Sequence, residues 1–537
     1  MKITKFWIFL AILILGIFLR VWELNKYPVH FGHDEITQLY DAISIAQTGR
    51  DIYGNFLPTI FPSIGDFKPP FYTYATALVY LLAGNHEWTI RVVGVVFGIL
   101  IIPAVFWFTK SLTKNSRLAL WASFFTAISP AEIFFSRKSF ENGIGIFFTL
   151  IAFVCLFNSL GKGKRWLYLV ALFSALGMYT YFSHVIIIPL MVAVFILIFR
   201  KQFSFKPKEL LPPLLLWIFL IVPLVLIFLI NPGSRYRSQT VFITQDINLG
   251  KQLEFVNGPL YFKVIGDFIF NRYLNQFDPT YLFVNGLNLT NQGPLNIGPL
   301  LFVQLPFLSL GVLFFIQRPF LRKEGKLIAS LIALGTLPSG LTFEPYSPHR
   351  IVIAFTFLNI VTGVGSYWFW QKLKDSRSFK LASIIFLVLL TCNVIYFLHV
   401  YFVNYPFEKS QYLQYPFKQV SEFAWSKSND FDQIVLDPLF GEDAPRIGVG
   451  AHYYLAYFGN YPPSKFQKEY KIGDKDRELS FEKFSIRKIE WGKDYNLKNT
   501  LLIGSPWSLP IQDIEKDKII RVFYFYNKRP AFYGVKL

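Results

Sequence analysis

His30-Phe31-Gly32-His33-Asp34-Glu35 follows the first long apolar run of the chain, and Gly65-Asp66-Phe67-Lys68-Pro69-Pro70 comes before the next. These two stretches put adjacent carboxylates and a lysine into a loop beside a bilayer. Apolar residues at Ile36, Leu39, Tyr40 and Ile43 keep helical spacing, so a helix is predicted to begin at Asp34. It reads as short, amphipathic and laid along the membrane surface. A carboxylate in that position can do acid–base chemistry, and a lysine can hold a phosphate as a point charge. The simpler reading makes Asp34 a helix cap and Glu35 a solvated first-turn charge.

The surrounding chain decides the class. Charged residues make up 16% of the 537 positions and hydrophobic ones 53%, whereas soluble domains carry about 25% charged residues. Apolar spans long enough to cross a bilayer run near 6–22, 92–109, 117–134, 143–160, 166–182, 184–200, 210–230, 299–317, 327–342, 351–370 and 379–402. A shorter apolar segment covers 71–83. Basic clusters stand at Lys2 and Lys5, at 110–117, 162–165, 200–208, 318–326 and 372–380. If 71–83 does not cross, every cluster falls on the cytoplasmic side; if it crosses, the alternation fails from the second cluster onward. The expectation is therefore a polytopic α-helical membrane protein with eleven spans, and 71–83 as a juxtamembrane or re-entrant helix. The clustered loops hold twenty basic residues and three acids, which is nearly all of the net charge of +19. That charge is a topology signal and excludes a nucleic-acid surface.

Phe6 to Val21 lacks a small-residue cleavage site and reads as a retained anchor. Cys155 and Cys392 both lie in apolar runs and read as packed residues. The expected domains are a membrane domain over 1–402 and an extracytoplasmic α/β domain over 403–537. The tail carries a helical pattern at 413–427 and strand-like runs at Gln433–Leu436, Thr500–Ile503 and Ile519–Phe525. The outer face then holds loop 23–91, a short turn at 135–142, loop 231–298 with Arg235, Arg237, Arg272 and Asp278, and the turn Glu344–Arg350.

Ionisable groups at a membrane boundary suggest function. One face gathers Asp34, Glu35, Lys68, Arg91, Arg137, Glu141, His349 and Arg350, while the spans themselves carry almost no charge. A coupled transporter places carboxylates near the midplane and shows repeats; neither is visible. A carboxylate among cations at headgroup height suits transfer of a lipid-linked phosphosugar. Cations stabilise the phosphate leaving group, and the carboxylate takes the proton of the attacking hydroxyl.

The ordered series His33-Asp34-Glu35, Asp66-Phe67-Lys68-Pro69-Pro70, Arg91 and Ser136-Arg137 resembles the GT-C glycosyltransferases. It resembles in particular glycosyltransferase family 39, which includes protein O-mannosyltransferases and lipid A aminoarabinose transferases. The resemblance covers roughly residues 1–350 and leaves the tail outside. It implies a GT-C fold, a polyprenyl-phosphate sugar donor and a lipid, glycan or protein acceptor at the outer face of the cytoplasmic membrane. It makes Asp34 the catalytic base, with Glu35 beside it to position the acceptor or tune Asp34. It makes Lys68 a donor-phosphate ligand, joined by Arg91, His349 and Arg350. Arg137 and Tyr346 complete the substrate-binding candidates, although Arg137 can simply pair with Glu141 and Tyr346 can be an interface aromatic.

Several relatives carry an acid directly before the lysine, where a metal binds; here that position is Phe67. No metal ligand set is assigned and no cofactor is required, though the resemblance admits a divalent metal. The rival readings are an oligosaccharyltransferase-like enzyme with a diphosphate-linked donor, a lipid or glycan transporter, and an inactive scaffold for the tail. The tail is expected to select the acceptor, so that its deletion spares donor binding.

Overall fold

Each of the eleven apolar runs forms a helix in the computed structural model, which describes residues 3–64, 66–203, 206–230, 240–290, 293–318, 322–469, 471–472 and 479–537. Gly65, Arg235 and Arg237 lie outside the described residues. The first ten helices are α1 (Ile3–Val21), α2 (His33–Thr48), α3 (Pro70–Ala83), α4 (Thr89–Thr113), α5 (Ser116–Ile128), α6 (Pro130–Ser136), α7 (Asn142–Lys162), α8 (Arg165–Met178), α9 (His184–Phe199) and α10 (Pro207–Ile230). After α11 (Ile247–Leu253) and α12 (Pro259–Asn275) come α13 (Leu305–Gln317), α14 (Arg322–Gly340), α15 (Val352–Leu373) and α16 (Phe379–His399).

By length and composition, seven of the described helices can cross a membrane, or eight if the bent pair α5–α6 is one span. The eleven-span expectation rested on charge alternation, and length alone supports the smaller number. Helix α8 has 14 residues and α13 has 13, or about 20 Å each, against a hydrocarbon core of about 30 Å. Helix α3 is also short and exposes Leu81 and Leu82.

The chain packs as two compact units. The first comprises residues 1–24, 65–72 and 91–401, and the second residues 25–64, 73–90 and 402–537. In the first, Ile12 of α1 meets Ile102 and Phe106 of α4 and Ala119, Leu120 and Ala127 of α5. Asn115 caps α5 by accepting the Arg117 N–H. Helix α5 then breaks at Ser129-Pro130, and α6 leaves at 57°, because a proline cannot continue the hydrogen-bond ladder. Helices α13 and α15 cross with their backbones touching. A Cβ on Gly365 would sit 1.9 Å from the Phe307 carbonyl oxygen, and one on Gly311 2.1 Å from that of Val361. Small residues at such crossings permit close packing where lipid supplies no hydrophobic drive between helices.

The second unit holds a seven-stranded sheet. Its strands are β3 (Gln433–Leu436), β6 (Lys471–Ile472), β7 (Leu479–Phe481), β8 (Phe484–Ile486), β9 (Thr500–Gly504), β10 (Ile519–Tyr524) and β11 (Pro530–Lys536), in the order β10-β11-β9-β3-β8-β7-β6. Short strands β1 (Phe61–Ser63), β2 (Asp66–Lys68), β4 (Leu439–Phe440) and β5 (Arg446–Ile447) lie elsewhere in the chain. Strand β3 runs parallel to both β8 and β9. The unit's helices are α17 (Tyr405–Lys409), α18 (Pro416–Ser426), α19 (Ala451–Phe458), α20 (Pro463–Glu469) and α21 (Trp491–Asp494). Val435, Leu502, Val535, Ile489, Leu509 and Ile514 form a core under the sheet.

Helix α2 belongs to this second unit and corrects the surface-helix expectation. Every residue from Glu35 to Ile45 is buried, including polar Thr37, Gln38, Asp41 and Ser44. Helices α19 and α20 of the tail pack on it. Tyr40 donates to the Tyr461 carbonyl oxygen at 2.8 Å, and the Gln467 amide donates to Ser44 at 3.0 Å. The polar face that suggested solvent is satisfied instead by a segment more than 400 residues away in sequence.

Candidate active site

The acidic candidates lie in the second unit. Gly32 is the N-cap of α2, with His33, Asp34 and Glu35 in its first turn. Glu35 is buried at 2% exposure and accepts the Gly32 N–H at 2.9 Å. This is the reach-back half of a capping box, so Glu35 fixes the turn. Asp34 is placed differently. Its side chain is 38% exposed, with the His33 Nε2 3.7 Å from its Oδ1. Neither residue is the cap itself.

The tail holds this turn from behind. Tyr454 donates to the Phe31 carbonyl oxygen at 2.9 Å and accepts from the Gln414 amide at 3.0 Å. The His30 ring stacks on Tyr454 and Phe458, with centroids 5.2 and 5.9 Å apart. Burial, reinforced by the carboxylates of Glu35 and Asp34, pushes the Tyr454 phenol well above its usual range, so it remains a neutral donor. Sequence reasoning missed Tyr454, and no local pattern marks it. Because α2 is covered by the tail, deleting 403–537 would uncover α2. The deletion would therefore not isolate acceptor selection.

About two turns further along α2, Asp41 is buried and accepts the Ile52 N–H at 3.1 Å. Burial pushes its carboxyl well above the usual range, and nearby Asp51 adds to the rise. Unfolded, an aspartate ionises near about pH 3.9. Between that value and the raised folded one, the folded state binds the extra proton, so stability falls as pH rises across the window and levels off above it. Asp41→Asn should remove this slope and leave the neutral-pH protein more stable. Thermal unfolding of both forms from about pH 4 to about pH 8 checks it, and parallel curves would contradict it.

The basic candidates lie in the first unit. Lys68 ends β2 and is 8% exposed, just before Pro70 opens α3. Its segment is docked by Phe71, whose N–H donates to the Tyr179 carbonyl oxygen at 3.4 Å, and by Tyr72, whose hydroxyl accepts the Gly94 N–H at 3.2 Å. A Cβ on Gly94 would meet the Ser136 and Lys138 carbonyl oxygens at 2.7 and 2.9 Å. The close approach of this glycine brings the Lys68 segment and the 136–138 turn to the same part of α4.

Arg91, buried in the first turn of α4, donates to the Leu24 carbonyl oxygen at 3.2 Å. Arg137, fully buried, donates to the Leu19 and Arg20 carbonyl oxygens at 3.3 and 3.0 Å and to the Tyr401 hydroxyl at 3.2 Å. Arg137 thus satisfies carbonyls in the last turn of α1, where a helix leaves its acceptors unpaired and its dipole favours cations, and Arg91 holds the chain three residues past that end. His349 stacks on Phe140 with centroids 6.2 Å apart, and Asn142 donates to its carbonyl oxygen. Arg350 pairs with Glu344 at 3.0 Å and donates to Ser347 at 3.0 Å. Tyr346 stacks on Tyr281 at 5.0 Å. In loop 231–298, Arg272 pairs with Asp246.

The spans also carry charge that sequence reasoning passed over. Arg20, fully buried in α1, donates to the Ala127 and Thr126 carbonyl oxygens of α5 at 2.9 and 3.3 Å. Glu132 of α6, equally buried, is its electrostatic partner and accepts from Thr356 of α15. The helical position of Glu132, two residues after Pro130, was the available signal.

Among the described residues no group of three or more His, Cys, Asp or Glu side chains comes together as a metal-holding set.

The model of the dolichyl-phosphate-mannose-protein mannosyltransferase family matches residues 67–228. That span includes Lys68, Arg91 and Arg137 and stops short of Asp34. None of the curated proteins matches the chain in sequence. Among solved structures, apo ArnT from Cupriavidus metallidurans is similar at a TM-score of 0.55 and 11% identity, covering 98% of this chain and 97% of that one. The same protein bound to undecaprenyl phosphate gives 0.53, 11%, 99% and 98%. The oligosaccharyltransferase AglB from Archaeoglobus fulgidus, in complex with an inhibitory peptide and a dolichol-phosphate, gives 0.51 and 12%, covering 85% of this chain and 64% of that one. The likeness of fold therefore runs through the tail, beyond the 1–350 read from motifs. The chain is thus a multi-span membrane protein with the GT-C fold, and over residues 67–228 it resembles the mannosyltransferases of family 39.

Proposed function

We propose that this chain is an integral membrane glycosyltransferase that moves a sugar from a polyprenyl-phosphate carrier to an acceptor at the outer face of the cytoplasmic membrane. The observation that carries the reading is the split between the paired acids. Glu35 is buried and committed to the Gly32 N–H, while Asp34 keeps a solvent-reachable carboxylate in the same rigid turn. A base must reach the proton it takes, and its orientation must be set beforehand.

In the proposed step, an Asp34 oxygen accepts the proton of the acceptor hydroxyl as that oxygen attacks the anomeric carbon. The bond from the anomeric carbon to the phosphate oxygen breaks, and the electron pair leaves with polyprenyl phosphate. Lys68 neutralises the growing charge, aided by Arg91 and His349. Arg350, already paired with Glu344, and Arg137, bound to carbonyls of α1, act by shaping the basic half. The family match over Lys68 and Arg91 and the undecaprenyl phosphate bound by ArnT support a monophosphate carrier.

A single displacement inverts the anomeric centre. Proton NMR of the product, made from a donor of known configuration, should show the opposite anomer. Retention would contradict the step.

A further inference from the structure

Four helices of the first unit, α1, α5, α15 and α16, enclose an elongated cavity of about 700 Å³. Its lining is ordered along the helices. Lys5 stands near the start of α1, Arg117 near the start of α5, and Gln371 near the end of α15. These three mark one end of the cavity. Ile12 and Phe124 lie seven residues further along α1 and α5, about 10 Å deeper. Between the two levels the walls are aliphatic and aromatic, and among the described residues no acid lines the cavity.

This is a groove with cations at its mouth and hydrocarbon walls below. A soluble anion would leave the walls uncovered, and a neutral lipid would leave the cations without a partner. The candidate phosphate-holding residues lie elsewhere. Arg91 and Arg137 bind carbonyls at the far end of α1, near Leu19, Arg20 and Leu24. Lys5 is fifteen residues before Arg20, roughly 22 Å along the helix. A carrier phosphate held at that far end cannot also sit at Lys5. The occupant is therefore a lipid of the leaflet at the other end of the bundle.

We infer that this cavity binds an anionic glycerophospholipid, with its phosphate at Lys5 and Arg117 and an acyl chain running along α1 and α5. Basic pockets between membrane helices recognise acidic headgroups in this way. The cations and apolar walls stand apart from the glycosyltransferase reading, while the exclusion of the carrier lipid rests on it.

The test uses the full chain in a neutral detergent, titrated with phosphatidylglycerol or phosphatidylcholine, with retained lipid counted by native mass spectrometry. Phosphatidylglycerol should be retained in preference. The double change Lys5→Gln and Arg117→Gln should weaken its retention about 30-fold and leave phosphatidylcholine unchanged. Ile8→Trp, at an exposed position of the wall, should block the groove without touching charge and weaken retention as well. It decides the matter if the double variant does not fold. Equal retention of the two phospholipids would overturn the assignment, as would wild-type retention by the variants. Preferential retention of an added polyprenyl phosphate would overturn it too.

Discussion

Asp34→Asn is expected to lower sugar transfer by about 10²–10⁴-fold, the range for removing a general base, while leaving thermal unfolding unchanged. The substitution keeps shape and volume and removes only proton affinity. Asp34 is half-exposed in the first turn of α2 and is not its cap, so little folding energy depends on its charge. Glu35→Ala should behave in the opposite sense. It removes the acceptor of the Gly32 N–H, which costs about 0.5–2 kcal/mol as for other lost caps, and it loosens the turn that aims Asp34. Activity and melting temperature measured together separate the two roles. Full activity in Asp34→Asn would remove that residue from the mechanism.

Glu132→Ala is expected to destabilise the first unit by about 1–3 kcal/mol, because it removes a buried acceptor of the Thr356 hydroxyl and the carboxyl that acts on Arg20. Total stabilities are about 5–15 kcal/mol, so the loss should show as low yield and early unfolding in detergent. Arg20 holds the last turn of α5 to α1, and Arg137 holds the last turn of α1 to the end of α6. The Glu132 carboxyl acts electrostatically on Arg20. Glu132→Gln keeps an acceptor for Thr356 and should fall between wild type and Glu132→Ala. A melting temperature equal to wild type in Glu132→Ala would show that the buried charge has no structural weight.

Local sequence pattern revealed some of these features and missed others for physical reasons. The apolar runs announced the helices, since about 20 apolar residues have few other uses. Three strands of the tail stood out as β-rich runs, and Gln433–Leu436 is strand β3 residue for residue. Helix α2 was found, but its surroundings were misread. Period 3.6 separates an apolar face from a polar one, and it cannot tell solvent from buried polar partners such as Gln467 and Tyr461. The same limit hid Tyr454, which supports the turn that carries Asp34 across 423 residues of chain. Arg137 and Glu141, four residues apart, suggested a local pair. The structure adds to it that Arg137 binds the end of α1 and Tyr401, because carbonyls at a helix terminus offer acceptors that sequence spacing does not show.

The most direct measurement gives the purified wild-type chain a panel of polyprenyl-phosphate monosaccharides together with candidate acceptors, and follows free polyprenyl phosphate and glycosylated product. The account predicts that at least one donor is cleaved, with one polyprenyl phosphate released per sugar transferred. Movement of intact donor across a vesicle membrane without cleavage would contradict it, as would turnover of diphosphate-linked donors alone.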